Sequence, residues 1–314
     1  MLKYLKQYQW SDMEQIFANN RAEQYKIDVS LSGKLCVVTG CTSGVGLAAA
    51  EAFASSGASI LMINRNGEKS EALCGRLESL RPADADATYR YLIADFADLS
   101  QVHATVDTIL RDYPTIDFLV NNAGMHSTTR TLTADGHETV FCVNHLASFL
   151  ITCRLMETMM RTPGSRIIQV NSQGHRFGGL DLDDLDWNRR IYTGMRSYGA
   201  SKVAQLLTVW EFADRLAGSG TTINAMHPGA VSSGIGLNNG PVYRLFKRLV
   251  VDRGLADPSV AGAAILYLAA SPDLAGVSGC YYNLTHPEKP APHALDREVG
   301  ALVWDASVRL TGLD

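Results

Sequence analysis

Two side chains near the middle of the chain invite a chemical reading before anything else. Tyr198 and Lys202 lie in the stretch "MRSYGASKVAQ", four residues apart. On a helix this spacing puts both on one face, one turn apart. A phenol beside an ammonium has two meanings. One is a packed tyrosine and a solvated lysine, which helices produce routinely. The other is a proton donor whose pKa is lowered by a fixed positive charge. The YxxxK spacing does not choose between them, so the elements that would carry the pair must.

The chain has 314 residues, of which 46% are hydrophobic and 19% charged, a balance that suits a folded core rather than disorder. A net charge of −4 argues against a general nucleic-acid binder, which needs a basic surface. The cysteines at 36, 41, 74, 142, 153 and 280 form no CxxC pair and no cluster with histidine at metal-ligand spacing. They read as reduced thiols of a cytoplasmic protein, with no metal site. No run approaches the roughly 18 apolar residues of a membrane span. The first residues lack the uninterrupted apolar stretch and small-residue cleavage site of a secretory signal. Residues 1–32 read as a helical extension with Leu2, Leu5, Trp10, Met13, Ile16 and Phe17 as apolar positions. Its polar face is not strongly basic, which favours packing on the domain or a second subunit over peripheral membrane contact.

From residue 34 a rhythm appears. "KLCVVTG", "SILMINR", "YRYLIADF", "IDFLVNNAG", "SRIIQVNS", "TTINAMHPG" and "GCYYNLT" are short apolar runs. Helical stretches separate most of them, including about 68–80, about 135–160, the segment carrying Tyr198, and about 260–270. Strands apolar almost throughout, alternating with helices, predict a parallel sheet covered on both faces. The expected fold is α/β: one doubly wound Rossmann-type domain over 33–314, closed by a helix at about 294–311. Such sheets bind ligands beyond the carboxyl ends of their strands. That directs attention to Gly40, Asn64, Asp95, Asn121, Ser172 and Pro228.

"VVTGCTSGVGLAAAEAF" places Gly40, Gly44 and Gly46 between the first strand and a helix, with Thr42, Ser43 and Val45 among them. Glycines there let the backbone approach a pyrophosphate, and the helix N-terminus offers that anion free N–H groups and a positive dipole end. The plain alternative is an ordinary strand–helix turn.

The order of motifs is more specific than any one of them. TGxxxGxG, then "NNAG" at 121–124, Asn144 in the next helix, Ser172 after the fifth strand, YxxxK at 198–202 and "PG" at 228–229 together resemble the short-chain dehydrogenase/reductase family. The likeness runs from about Lys34 to Leu284. It implies hydride transfer between a nicotinamide and a carbonyl or alcohol carbon. Tyr198 would be the general acid or base. A free tyrosine titrates near 10, and bringing it to about 7 needs roughly 4 kcal/mol, from Lys202 and the oxidised nicotinamide. Lys202 would also bond the nicotinamide ribose, and Ser172 the substrate oxygen. Asn144 would hold the main chain and a water in a proton relay behind Lys202. Singly, Ser172 could merely cap a loop and Asn144 could be a surface residue. His145 and His175 read as structural or pocket-lining.

The resemblance also distributes the cofactor. The second strand ends in Asn64 and Arg65, where an NAD enzyme usually offers a carboxylate to the ribose. An arginine grips a 2′-phosphate with a planar fork, which favours NADP(H); one that stacks on adenine would also permit NAD(H). Asp95 and the Phe96 N–H would hold the adenine, and Asn121 the adenosine ribose side, with Ala123 and Gly124 following it. Pro228, Gly229 and Val231, with Ser232 or Ser233, would touch the nicotinamide amide and pyrophosphate.

The segment "HRFGGLDLDDLDWNRRIYTGM" between Ser172 and Tyr198 resembles the retinol-dehydrogenase-like branch, as does the carboxyl end. An apolar lid is expected at about 232–257, whose plain alternative is a dimer contact or core. The implied substrate is a hydrophobic ketone, aldehyde or secondary alcohol of steroid, retinoid, lipid or polyketide type, and the implied assembly a homodimer or homotetramer. Rival readings are an extended family member modifying nucleotide sugars and a non-catalytic NADP(H)-binding sensor or scaffold.

Overall fold

A computed structural model describes residues 2–231 and 256–314. Its centre is an eight-stranded sheet in the order β3-β2-β1-β4-β5-β6-β7-β8. The strands are β1 (Leu35–Thr39), β2 (Ser59–Asn64), β3 (Tyr89–Ile93), β4 (Phe118–Asn121), β5 (Arg166–Val170), β6 (Thr222–His227), β7 (Tyr281–Asn283) and β8 (His286–Pro287). β1 to β7 are parallel, and β8 folds back antiparallel on β7. The apolar runs anticipated the seven parallel strands; β8, two residues long, carries no signal of its own.

Alternation along each strand divides the core in two. Val37, Leu61, Leu119, Ile167 and Ile223 face α4 (Leu99–Asp112), α6 (Ala147–Met160) and α7 (Gly194–Arg215). Their neighbours Val38, Met62, Val120, Ile168 and Met226 face α2 (Gly44–Ser55), α3 (Gly67–Leu80) and α8 (Pro258–Ala270). Period two in the strands thus builds both layers at once. Polar caps set the helix starts. Asn66 caps α3, Asp98 caps α4, Thr193 caps α7, and Asp257 with Pro258 opens α8.

The long helix expected from 135 begins at 139, because Glu138 accepts the N–H groups of Val140 and Phe141. It runs as a short α5 (Thr139–Phe141), a π turn (Cys142–Leu146) and then α6. By length and composition Thr139–Met160 could cross a membrane, contrary to the sequence expectation that no such segment exists. It is instead a central helix of the core, with Leu146, Phe149 and Leu150 almost fully buried. The carboxyl-terminal helix, α9 (Arg297–Leu310), lies on α7, where Trp304 meets Phe149 and Phe212 edge-on.

The amino-terminal segment forms a 3-10 turn (Leu2–Gln7) and α1 (Trp10–Arg21) on the same domain. Its attachment is polar. Asn19 donates to the Pro287 carbonyl, Tyr4 to Asp296, and Gln24 meets Thr285. Trp10 and Phe17, two of the apolar positions named above, are 77% and 58% exposed and do not help to seat the helix.

Candidate active site

The sheet order reverses between β1 and β4, and a doubly wound sheet opens its binding crevice at that point. β1 leads into the glycine turn, and α2 starts at Gly44. Ser43 stands at its N-cap without a side-chain cap bond, which leaves first-turn N–H groups open to an anion. Gly46 is required by close approach: a Cβ there would sit 2.2 Å from the Gly40 oxygen and 2.3 Å from Asn122 Nδ2. An uncapped helix start behind a turn that admits no side chain at Gly46 is a cradle that fits a pyrophosphate. Thr42 and Ser43 are partly or fully exposed on it, and Val45 is buried.

The turn is braced from two strands. Asn122 Nδ2 donates to the Thr39 and Gly40 carbonyls at 2.9 and 3.0 Å. The Thr39 hydroxyl accepts the N–H groups of Asn122 and Ala123, both at 2.9 Å. Asn64 Oδ1 accepts the Cys41 N–H at 2.7 Å while its Nδ2 donates to Ser70. Arg65, next in sequence, is exposed and forms no hydrogen bond or ion pair with the described residues. At the end of β3, Asp95 is half-buried and accepts the Ala97 N–H, and Phe96 is buried.

The catalytic candidates converge beyond β5. Ser172 leaves that strand, and its hydroxyl accepts the Gly174 N–H at 3.0 Å. Tyr198 and the Ser172 hydroxyl lie side by side against Gly174, where an added Cβ would be 3.4 Å from Ser172 Oγ. Gly174 makes room for the phenol: a Cβ there would lie 2.8 Å from Tyr198 Cε1. The His126 ring approaches Tyr198 edge-on, with centroids 5.9 Å apart. Lys202, 3% exposed, sits one turn on, its Nζ 5.6 Å from the centre of the Tyr198 ring. That Nζ donates to the Val170 carbonyl at 3.1 Å and to Gln205 Oε1 at 2.9 Å.

Burial dominates the titration of both groups. The Tyr198 phenol is pushed above its ordinary value by desolvation, with the Ser172 hydroxyl working the other way. The Lys202 ammonium is pushed down to about 7 by desolvation. The net direction for Tyr198 in the protein alone is therefore up rather than down as expected, because the loss of water around a buried phenol dominates.

Asn144 lies in the π turn and is fully buried. Its side chain clasps Met125, accepting the N–H at 2.7 Å and donating to the carbonyl at 3.0 Å. It also donates to Ser201, whose hydroxyl donates to the Tyr198 carbonyl. A π turn displaces the helical ladder by one residue and frees a carbonyl for other partners. The Asn144 carbonyl accepts the Ser148 hydroxyl and the Gln205 Nε2.

Comparison with known proteins agrees with this geometry. The model of the short chain dehydrogenase family matches residues 34–240. This chain belongs to the short-chain dehydrogenase/reductase family. Retinol dehydrogenase 13 of Homo sapiens is 34% identical over 297 residues, covering 91% of this chain and 86% of its own. A Streptomyces sp. (strain C5) protein named "Putative daunorubicin C-13 ketoreductase DnrU" is 33% identical, covering 90% and 94%. A solved structure from Mycobacterium Paratuberculosis, of an uncharacterised protein, superposes with a TM-score of 0.73 at 27% identity, covering 92% of this chain and 98% of that one. The short-chain dehydrogenase described here is thus an NAD(P)-dependent oxidoreductase acting on CH–OH or C=O groups, of the retinol-dehydrogenase-like branch.

Two assignments made from the sequence of this dehydrogenase change. Asn121 does not reach the crevice: its amide donates to Thr152 at 2.8 Å within the core, and the neighbouring Asn122 braces the turn instead. Side chains alternate along a strand, so the first of two adjacent asparagines points away when the second points in. Asn64 is likewise spent inside the fold, holding the glycine turn to α3. Asn144 holds the main chain at Met125, as expected, and its own carbonyl accepts the Ser148 hydroxyl and the Gln205 amide.

Ser172, Tyr198, Lys202 and Asn144 are gathered as the spacing suggested. His175 and His145 are structural. The first bridges the Ser172 carbonyl and the Ala291 N–H, and the second bonds Ser307. Pro228 and Gly229 are half-buried after β6, and buried Val231 bridges Ala256. Ser232, Ser233 and nearly all of the proposed lid lie outside the described residues. The sequence reading missed Asn122, Asn171, Ser201 and Gln205. Each adjoins a named residue in sequence or on the helix, which was the available signal.

Proposed function

We propose that the enzyme prefers NADP(H) and acts on a hydrophobic ketone, aldehyde or secondary alcohol. The observation that carries the chemistry is the placement of Tyr198 and Ser172 side by side against Gly174, with buried Lys202 one turn along α7. When bound, the nicotinamide supplies or accepts the hydride. The protein does the rest. Ser172 and Tyr198 hold the substrate oxygen between two hydroxyls and stabilise the charge that develops on it. In reduction the Tyr198 hydroxyl gives its proton to that oxygen; in oxidation the phenolate takes one. Lys202 favours the phenolate and would hold the nicotinamide ribose.

The cofactor preference rests on Arg65. It stands exposed after β2 and unpaired among the described residues, placed to fork onto a 2′-phosphate, where a carboxylate would repel one. The glycine turn would take the pyrophosphate, Asp95 the adenine, and Val231 the nicotinamide side. The substrate class is supported by apolar side chains beside the catalytic loop. Phe177 follows the 3-10 turn after Ser172 and is 65% exposed, and Met195, one turn before Tyr198, is 58% exposed. The relatives' names, for retinol and daunorubicin, point the same way. A cytoplasmic, homo-oligomeric enzyme with its six cysteines as free thiols belongs to the same reading.

The test is turnover of NADPH and NADH against carbonyl compounds graded from apolar aromatic and steroid ketones to hydrophilic sugars. Faster turnover of the apolar compounds with NADPH is expected. NADPH binding without turnover of any carbonyl would return the protein to a sensor role, and a preference for sugars would overturn the substrate class.

A further inference from the structure

Behind the hydroxyls that face the substrate lies a second layer of amides. Gln205 stands three residues after Lys202 on α7 and is buried. Its Oε1 accepts from the Lys202 ammonium at 2.9 Å and from Asn171 Nδ2 at 3.2 Å. Its Nε2 donates to the Asn144 carbonyl in the π turn. Asn171 in turn donates to the Lys202 carbonyl at 3.0 Å, and its Oδ1 accepts the Ser172 N–H at 2.8 Å. The amide orientation is set by its partners: a flipped Gln205 would aim an NH2 at an ammonium and an oxygen at a carbonyl.

One side chain is therefore bonded to the lysine, to the asparagine backbone, and through Asn171 to the strand end that carries the serine. We propose that Gln205 is a positioning residue of the catalytic centre, fixing Lys202 and the Asn144 carbonyl in one geometry and, through Asn171, the entry to Ser172. This rests on the reading of Tyr198 and Lys202 as the proton-transfer pair.

The physical case is that a buried ammonium is held in place by its acceptors alone. Of the groups around Lys202, β5 presents the Val170 carbonyl, and α7 presents Tyr198 and Gln205. Among the described residues no carboxylate or second cation contributes to its titration, whose cause is desolvation. Oε1 of Gln205 is thus one of two oxygens that keep the charged form in the interior. Without it the ammonium loses an acceptor and the π turn loses a donor together.

Two variants test the idea. Gln205→Leu removes all three bonds, to Lys202, Asn171 and the Asn144 carbonyl, at similar volume. Gln205→Glu keeps an oxygen for the lysine, adds a charge and removes the donor to Asn144. Lysine-selective 13C NMR, with Lys202→Arg identifying the signal, reads the Lys202 titration without any turnover. The midpoint is expected to fall in Gln205→Leu and to rise by about one unit or more in Gln205→Glu. In both, kcat is expected to drop about ten- to hundred-fold while KM for NADPH changes less than about three-fold, as for a displaced catalytic group. Midpoints within about 0.3 unit of the parent in both variants, or activity lost only in proportion to unfolded protein by thermal melt, would overturn the proposal. Should the parent bind NADPH yet turn over no carbonyl while the midpoints still move, the oxidoreductase reading fails and the role of Gln205 toward Lys202 stands.

Discussion

The two halves of the sheet prepare their ligands by different means. Around β1 to β3 the groups that the proposed site would offer a cofactor are mostly backbone N–H groups, and the polar side chains nearby are spent on bracing: Asn64 on Cys41 and Ser70, Asn122 on Thr39 and Gly40. Around β4 to β6 the proposed catalytic groups are side chains, and a buried layer of amides, Asn144, Asn171 and Gln205, holds them. A backbone cradle is sensitive to added bulk and indifferent to most side-chain chemistry. A side-chain centre is the reverse. The same fold thus carries one site that depends on missing atoms and one that depends on particular atoms.

Substitutions can break that contrast at three levels. The largest effect is expected at Tyr198. Tyr198→Phe keeps the ring that packs on Gly174 and removes the proton donor, so kcat should fall about 1,000-fold with NADPH affinity nearly unchanged, by steady-state kinetics and fluorescence titration. Turnover within a few-fold of the parent would remove the phenol from the mechanism. Next comes Gly46→Ala, whose Cβ meets the Gly40 oxygen at 2.2 Å. It should cost about 1–3 kcal/mol of folding stability and weaken NADPH roughly a hundred-fold by shifting the turn, read by thermal melts with and without NADPH. An unchanged rise in melting temperature on adding NADPH would mean the cradle lies elsewhere. The smallest is Arg65→Asp, expected to weaken NADPH about ten-fold, one charge-assisted bond's worth, and to leave NADH within a factor of about two. An unchanged ratio of the two affinities would refute the phosphate clamp and sharpen the view that this half recognises its ligand through backbone alone.

Legibility followed the same division. Gly46 could be read directly, because only glycine tolerates so close an approach and its spacing from Gly40 and Gly44 is local. Tyr198 and Lys202 could be read because one helical turn brings them together. Asn64 and Asn121 were misplaced because both stand at strand ends, where the direction of a side chain depends on pleat and register rather than on residue type. Gln205 was passed over because glutamine in a long helix has no chemistry of its own until a π turn 61 residues earlier frees a carbonyl opposite it.

Local order in the chain was enough for the strand–helix alternation, the uncapped glycine turn and the Tyr198–Lys202 pair, since those depend on neighbours within a few residues. The folded molecule alone settled which asparagines face the crevice, that the helix Thr139–Met160 is core, and that an amide closes the back of the lysine. Those outcomes join residues far apart in sequence, and a buried polar group takes its role from whichever distant donor or acceptor the packing brings within about 3 Å.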